Sequence, residues 1–133
     1  MFKSESKVRV RYGETDRMGY CYYGNYATFF EVARVEAIKK IGFSYRQMED
    51  EGIALPVLDY QVKFYKPAFY DDEIVIFTTI SEMPGARIKF DYQCYRGEDL
   101  LNEASTTLVF VNMETGRPRQ APEDFIQKIA AYF

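Results

Sequence analysis

The sequence predicts an α+β fold in which an antiparallel sheet of about five strands packs against one long helix. Three observations support this class. One stretch repeats apolar residues at helical spacing, five stretches have the pattern of strands, and short connections rich in Gly, Pro and Asp separate most of the strands. A chain of 133 residues can bury one core, so we expect a single domain over residues 1–133.

The first strand is predicted over residues 7–12, where charged and apolar residues alternate with a period of two. Val8, Val10 and Tyr12 are expected to face the core. Residues 13–19 are polar and interrupted by glycine, so they predict a loop at the end of this strand. Functional groups often lie on such loops.

A long amphipathic helix is predicted from Asn25, a favourable N-cap residue, to Gly42, a favourable stop. Its apolar positions recur at spacings of three and four, and they are Tyr26, Phe29, Phe30, Ala33, Ala37 and Ile41. Glu31 and Arg34 lie three residues apart on this helix and are expected to form an ion pair. A Ser-x-x-Gln capping pattern predicts a short second helix within residues 44–52.

After Pro56 the pattern changes to alternation, which is typical of strands. The first of these strands has four apolar residues on one face, namely Leu58, Tyr60, Val62 and Phe64. Three further strands are predicted over residues 73–81, 87–95 and 103–113. Their short connections favour antiparallel pairing in consecutive order. The chain is expected to close with an amphipathic segment over residues 122–132.

The charge balance argues against a protein that binds nucleic acid through its phosphates. The net charge is -3 and the pI is near 5.1, whereas such proteins present a basic field. The amino terminus lacks the apolar run of a signal peptide, and no stretch is long enough to span a bilayer. We therefore expect a cytoplasmic protein. The aromatic share of 17% indicates strands, an apolar pocket or a subunit interface.

The absence of histidine restricts the available chemistry more than any other feature of the composition. It excludes catalysis by Ser-His or Cys-His pairs and the usual imidazole-bearing metal sites, so we expect neither a metal nor a redox cofactor. Cys21 and Cys94 do not form a Cys-x-x-Cys motif and are expected to be free thiols. Any reaction must depend on carboxylates, hydroxyls or backbone dipoles.

Asp16 is the candidate reactive group, because it lies on the loop a few residues before the long helix begins. The start of a helix offers unpaired N–H groups, which can stabilise a carbonyl oxygen that gains negative charge during acyl transfer. Asp16 could attack a thioester carbonyl, or it could activate a water molecule as a general base. The alternative is a solvated turn containing Glu14 and Asp16, in which the aspartate carboxylate accepts a local hydrogen bond from the backbone.

Residues 12–26 resemble the signature of the 4-hydroxybenzoyl-CoA thioesterase family, which includes the Tol-Pal-associated acyl-CoA thioesterases. Asp16 and Gly19 match an Asp-x-x-Gly loop, and the Tyr-rich segment 22–26 matches the turn that opens the central helix. The resemblance continues through residues 30–34, 62–68, 70–72, 109–111 and 116–118, and so covers nearly the whole chain. It identifies a family but no particular acyl group.

The resemblance implies the hot-dog fold, in which the sheet wraps around the helix, and hydrolysis of an acyl-CoA thioester. It assigns the catalytic aspartate to Asp16 and polarisation of the carbonyl to the N–H groups of Tyr23 and Gly24. Some relatives have histidine at the position of Tyr23. Substrate contacts are expected from the rest of the motif, which comprises Gly19, Tyr22, Asn25 and Tyr26. Coenzyme A enters only as part of the substrate.

The phosphates of coenzyme A require cations, and the candidates are Lys66, Arg87, Lys89, Arg117 and Arg119. A solvated strand face explains Arg87 and Lys89 equally well. The resemblance also implies dimers that pair their sheets edge to edge and often form tetramers, docked through either helices or sheets. A second hypothesis is a module that binds acyl thioesters without hydrolysing them.

Overall fold

The structure, a computed structural model, describes residues 1–133 and places five antiparallel strands against one long helix. The strands of the sheet are β1 (Phe2–Arg9), β3 (Val57–Phe64), β4 (Glu73–Ile80), β5 (Arg87–Arg96) and β6 (Asp99–Val109). The helices are α1 (Asn25–Ile41), α2 (Tyr45–Asp50) and α3 (Glu123–Ile129). Two strands of two residues each, β2 (Ile53–Ala54) and β7 (Val111–Asn112), form a separate pair; β7 lies within the strand predicted over residues 103–113, but β2 and its pairing with β7 were not predicted. The predicted α+β class is confirmed.

The order of strands in the sheet is β1-β4-β5-β6-β3. Consecutive pairing therefore holds from β4 to β6, but the expectation is wrong for β3, which pairs with β6. The connection of residues 65–72 is long enough to cross the sheet. Its beginning is held against β6 because the amides of Tyr65 and Lys66 both donate to the carbonyl of Leu101, at 2.8 and 3.0 Å. Because β3 is last in the strand order, it lies at one edge of the sheet.

The prediction for the first strand is wrong in its limits and in one of its inward residues. The strand β1 begins at Phe2 and pairs over its whole length with β4. Phe2, Ser4 and Ser6 occupy inward positions. Because serine is not apolar, the alternation of apolar and polar residues does not extend over Ser4 and Ser6, and it did not predict this part of the strand. Tyr12 lies in a 3-10 turn and is 78% exposed, whereas Val10 is buried as predicted.

The core lies between the inner face of the sheet and the buried stripe of α1. Phe30 stacks on Tyr92 of β5 with ring centroids 4.5 Å apart. Ala33 and Ala37 are fully buried, and their small side chains allow the helix to approach the sheet closely. The helix ends at Gly42, as predicted, where φ is 98° and the left-handed conformation favours glycine.

The sequence predicted the cap of α2 correctly, but it predicted an ion pair on α1 that is not formed. Ser44 caps α2 by accepting a hydrogen bond from the amide of Gln47 at 3.0 Å, as its spacing indicated. The expected ion pair between Glu31 and Arg34 on α1 is not formed, because no carboxylate lies within 4 Å of Arg34. Arg34 is instead 7% exposed and its Nε has no partner.

The carboxyl-terminal segment, predicted only as amphipathic, is helical through α3 and a following 3-10 turn. Phe125 and Ile129 are buried, and the ring of Phe125 packs against Phe43 at 5.6 Å between centroids. The chain contains no helix that is both long and apolar enough to cross a membrane.

Candidate active site

The loop between β1 and α1 begins with a 3-10 turn at Tyr12–Glu14 that fixes Glu14 in the protein interior. The carboxylate of Glu14 accepts hydrogen bonds from the backbone amide of Arg11 at 2.7 Å and from its guanidinium at 3.0 Å. The guanidinium contact holds the pKa of Glu14 below its ordinary value. Glu14 is 8% exposed, so the alternative of a solvated turn is wrong for this residue.

Asp16 lies in a tight turn that orients its carboxylate through backbone donors. Its Oδ1 accepts hydrogen bonds from the amides of Met18 at 3.0 Å and Tyr20 at 3.1 Å. Gly19 adopts φ 83° at this turn and donates to the carbonyl of Asp16 at 2.9 Å. The local hydrogen bond considered for Asp16 is therefore present, but it uses only one oxygen. The other oxygen, Oδ2, has no partner in the chain.

The start of α1 leaves two backbone donors free. The N-cap residue is Gly24, and no side chain caps the helix. The amides of Tyr23 and Gly24 donate to no backbone acceptor, whereas the next amide, that of Asn25, donates to the carbonyl of Tyr22 at 2.9 Å. Unpaired amides of this kind, together with the helix dipole, favour an oxygen that carries negative charge.

Asn25 does not have the capping role that was predicted for it. It is the first residue of α1, and its side-chain Nδ2 donates to the carbonyl of Glu14 at 2.7 Å. The same carbonyl accepts the amide of Tyr22 at 2.8 Å. These two bonds tie the loop to the helix start. Asn25 therefore positions the site through the backbone of Glu14, and it does not line the cavity described next.

A cavity of about 280 Å³ joins the loop, the helix start and the end of β3. Asp16 is its only carboxylate and Lys66 its only cation. The other lining residues are mainly aromatic or apolar, namely Met18, Tyr20, Cys21, Tyr23, Tyr26, Phe64, Tyr65 and Pro67. An apolar cleft with a few convergent polar groups is typical of a small-molecule site.

The cavity brings together part of the predicted site. Asp16, Tyr23, Tyr26 and Lys66 line it, as expected of catalytic and substrate-binding residues. The remaining motif residues lie beside it without lining it, and they are Gly19, Tyr22, Gly24 and Asn25. Gly24 nevertheless contributes its free amide at the helix start.

The candidate cations for coenzyme A are not gathered in one place. Lys66 lies at the cavity, where its Nζ is 3.0 Å from Asp99. Arg87 and Lys89 lie on the outward face of β5. Cys94, near the far end of that strand, is seven residues from Arg87, or roughly 23 Å at the rise of an extended strand. Their contact with coenzyme A stays a prediction.

Both cysteines are free, as predicted, and both are buried. Burial raises the pKa of the Cys21 thiol, which lines the cavity, to about 11. Burial also raises the pKa of Cys94. A thiol is nucleophilic only as thiolate, so neither cysteine is suited to attack a thioester at neutral pH.

Sequence reasoning missed the cavity wall formed by Met18, Phe64 and Pro67. Phe64 and Pro67 lie 48 and 51 residues after Asp16 and reach it only because the end of β3 passes over the helix start. The bridge between Tyr20 and Phe69 holds these two segments together. A proline three residues after the end of the strand was the available local signal.

The layered sheet and helix, with a loop carboxylate beside the helix start, define a protein of the hot-dog thioesterase class. A family model described as the Thioesterase-like superfamily matches residues 10–129, and the chain belongs to this family. The acyl-CoA thioester hydrolase YbgC of Escherichia coli O157:H7 is 35% identical over 120 residues, covering 90% of each protein.

Solved structures agree with this assignment. A DHNA-CoA thioesterase from Staphylococcus aureus superposes with a TM-score of 0.94 at 34% identity, covering 99% of this chain and 91% of that chain. An aspartate-to-asparagine mutant of 4-hydroxybenzoyl-CoA thioesterase, complexed with 4-hydroxybenzoyl-CoA, superposes with a TM-score of 0.84 at 25% identity, covering 96% and 99%. The expected hot-dog fold and the family resemblance are confirmed.

Proposed function

We propose that the protein is an acyl-CoA thioester hydrolase, which converts an acyl-CoA and water to a free acid and coenzyme A. One observation carries the proposal: Asp16, with an unpaired carboxylate oxygen, lines the same apolar cavity as Tyr23, whose backbone amide is free at the helix start. The activities for which the relatives are named support the same reaction.

In this mechanism the thioester carbonyl oxygen accepts hydrogen bonds from the amides of Tyr23 and Gly24. These donors stabilise the negative charge that develops on the oxygen. Asp16 acts in one of two ways. As a general base it takes a proton from the attacking water, and as a nucleophile it forms a mixed anhydride that water then cleaves. In both routes the carbon–sulfur bond breaks and the thiolate of coenzyme A takes up a proton.

The remaining parts of the proposal concern the setting of this reaction. Residues 1–133 form one cytoplasmic thioesterase domain that uses neither a metal nor a separate cofactor. Lys66 is the cation best placed to meet coenzyme A, because it lies at the mouth of the cavity and is half exposed. Arg87 and Lys89 can take part only if a second copy of the chain brings them near a cavity.

The decisive experiment measures the release of coenzyme A from a panel of acyl-CoAs that includes benzoyl, naphthoyl and straight-chain substrates. We expect turnover of at least one member, and its identity will define the acyl preference. The second candidate function is a binding module. It is favoured by the Asx turn of Asp16, because a carboxylate that accepts two backbone amides can stabilise the loop without taking part in a reaction. Binding of the panel without release of coenzyme A would support the module and contradict the hydrolase.

We further propose that the protein forms a homodimer, or a homotetramer built from it, by pairing β3 edge to edge. The free edge of β3 and its exposed apolar side chains, among them Val57, Leu58 and Tyr60, support this assembly. Exposed apolar edges of this kind are otherwise liable to aggregate. Arg34, whose Nε has no hydrogen-bond partner, lies beside the same edge, where it shares a small surface cavity with Val57 and Tyr60.

Sedimentation velocity of Leu58→Asp tests the assembly. We expect a monomer, because a buried and unpaired carboxylate disfavours the interface. Met113→Asp, which places the same charge at an exposed position outside the sheet, is the matched control and should retain the native mass. An unchanged mass for Leu58→Asp would overturn the proposed interface.

A further inference from the structure

Asn102, on β6, is the one buried side chain with two polar atoms that both lack partners. It is 0% exposed, and neither its Nδ2 nor its Oδ1 has a hydrogen-bond partner. Buried amides are nearly always satisfied, because an unmet donor or acceptor loses its hydration without compensation. Two unmet groups on one residue therefore point to a ligand or an ordered water molecule.

Asn102 lies directly behind the wall of the cavity. It pairs with Phe64 across β3 and with Cys94 across β5, so its side chain shares the inner face of the sheet with theirs. The ring of Phe64 lines the cavity and meets the ring of Tyr26 edge to face, at 5.6 Å between centroids. These two rings separate Asn102 from the cavity.

The ring of Phe64 is the part of this separation that can move. Phe64 belongs to the edge strand and is 48% exposed, so rotation of its ring disturbs little packing. The backbone behind it stays in place, because the amides of Tyr65 and Lys66 both donate to the carbonyl of Leu101. An acyl group that displaces the ring of Phe64 therefore reaches the amide of Asn102.

We propose that Asn102 determines acyl specificity by binding a hydroxyl substituent at the end of the acyl group away from the thioester. A hydroxyl satisfies both unmet atoms, because it accepts a hydrogen bond from Nδ2 and donates one to Oδ1. An unsubstituted acyl group of the same size leaves both unmet, and sites built in this way reject such analogues. This inference rests on the proposed hydrolase function.

Matched pairs of substrates test the inference in the native protein. The probes are 4-hydroxybenzoyl-CoA against benzoyl-CoA, and a terminally hydroxylated straight-chain acyl-CoA against its unsubstituted form. We expect kcat/KM to be about tenfold to a hundredfold higher for at least one hydroxylated member, which is the effect of one hydrogen bond left unmade in a buried site. Equal values within both pairs would overturn the inference, and they would indicate that a water molecule satisfies Asn102.

The variant Asn102→Leu, whose side chain has the same branched shape and no polar atom, separates specificity from folding. We expect it to lower kcat/KM for the preferred hydroxylated substrate about tenfold to a hundredfold and to maintain or raise the value for the unsubstituted one. Equal loss for both substrates would contradict the inference. Thr78→Val is the matched control, because Thr78 is also buried and unpaired on the inner face but does not pair with a cavity residue. It should leave the substrate ratio unchanged.

Failure of the hydrolase proposal is distinguishable from failure of this inference. If no acyl-CoA is hydrolysed, calorimetric affinities for the same matched pairs replace kcat/KM. Tighter binding of the hydroxylated member, lost in Asn102→Leu, would support the role of Asn102, and equal affinities would overturn it. If Asn102→Leu does not fold, the ratios measured on the native protein decide alone.

Discussion

Replacing Asp16 by asparagine isolates its carboxylate charge from its structural role. The side-chain oxygen of asparagine can still accept hydrogen bonds from the amides of Met18 and Tyr20, which Oδ1 holds at 3.0 and 3.1 Å. The turn should therefore survive. We expect Asp16→Asn to change the free energy of unfolding by less than about 0.5 kcal/mol, as for a half-exposed residue whose contacts are retained.

The effect on catalysis should be much larger, because the unpaired oxygen Oδ2 is replaced by an amide nitrogen that is neither basic nor nucleophilic. A general base contributes about 10²- to 10⁴-fold to the rate. At 1.36 kcal/mol for each factor of ten, the barrier rises by about 3–5 kcal/mol. Binding depends mainly on the apolar wall of the cavity, so KM should change little and kcat should carry the loss.

The assay follows release of coenzyme A with a thiol reagent, and the two buried cysteines of the protein should contribute little background. Asp50→Asn is the matched control, since Asp50 ends α2 on the surface and makes no side-chain hydrogen bond or ion pair. It should retain native kcat. A kcat for Asp16→Asn within twofold of the native value, in a folded protein, would refute a chemical role for the carboxylate.

Three further predictions concern the loop and its surroundings. Glu14→Gln should lower the free energy of unfolding by about 1 kcal/mol through the weakened contact with Arg11, as measured by urea denaturation. Because the pKa of Glu14 is lowered in the folded state, its contribution to the free energy of unfolding is present above the ordinary glutamate pKa and is lost as pH falls through the lowered value. The free energy of unfolding of the variant should therefore fall less at acidic pH than that of the native protein. The same dependence on pH in both proteins would contradict the contact with Arg11. Gly19→Ala should lower the free energy of unfolding by about 1–2 kcal/mol, because a φ of 83° is strained for any residue with a side chain, although there is space for the added methyl group. The effect is measured as a lower Tm, and an unchanged Tm would contradict the conformation of this turn. Cys21, with a pKa of about 11, should react with iodoacetamide at pH 7.5 far more slowly than free cysteine, and rapid alkylation would show that the thiol is not buried as described.

The sequence predicted the elements of the fold better than their arrangement. Periodicity located α1 and the strands β3 to β6, because each has an apolar face of regular spacing. It did not locate the partner of β3, since strand order depends on the path of a connection and not on the strand's own pattern. It also missed the start of β1, where Ser4 and Ser6 replace apolar residues at buried positions.

The sequence predicted those residues of the candidate site that lie close together in the chain, but not those that strand pairing brings together. Asp16 and Tyr23 stand in one motif, and both line the cavity. Phe64 lines the cavity, and the pairing of β3 with β6 places Asn102 beside it, which sequence spacing does not reveal. Arg87 and Lys89 lie on the polar face of β5, as their alternation predicted, and their contact with coenzyme A stays a prediction.

Backbone geometry explains how a chain without histidine can offer an acyl-transfer site. The carboxylate of Asp16 is oriented by two amides of its own turn, and the free donors at the start of α1 are the amides of Tyr23 and Gly24. In the proposed mechanism Tyr23 therefore acts through its N–H group, which any residue but proline would supply. This is consistent with the histidine that some relatives have at the same position. Glycine is required instead at Gly19, because its φ of 83° closes the turn around Asp16.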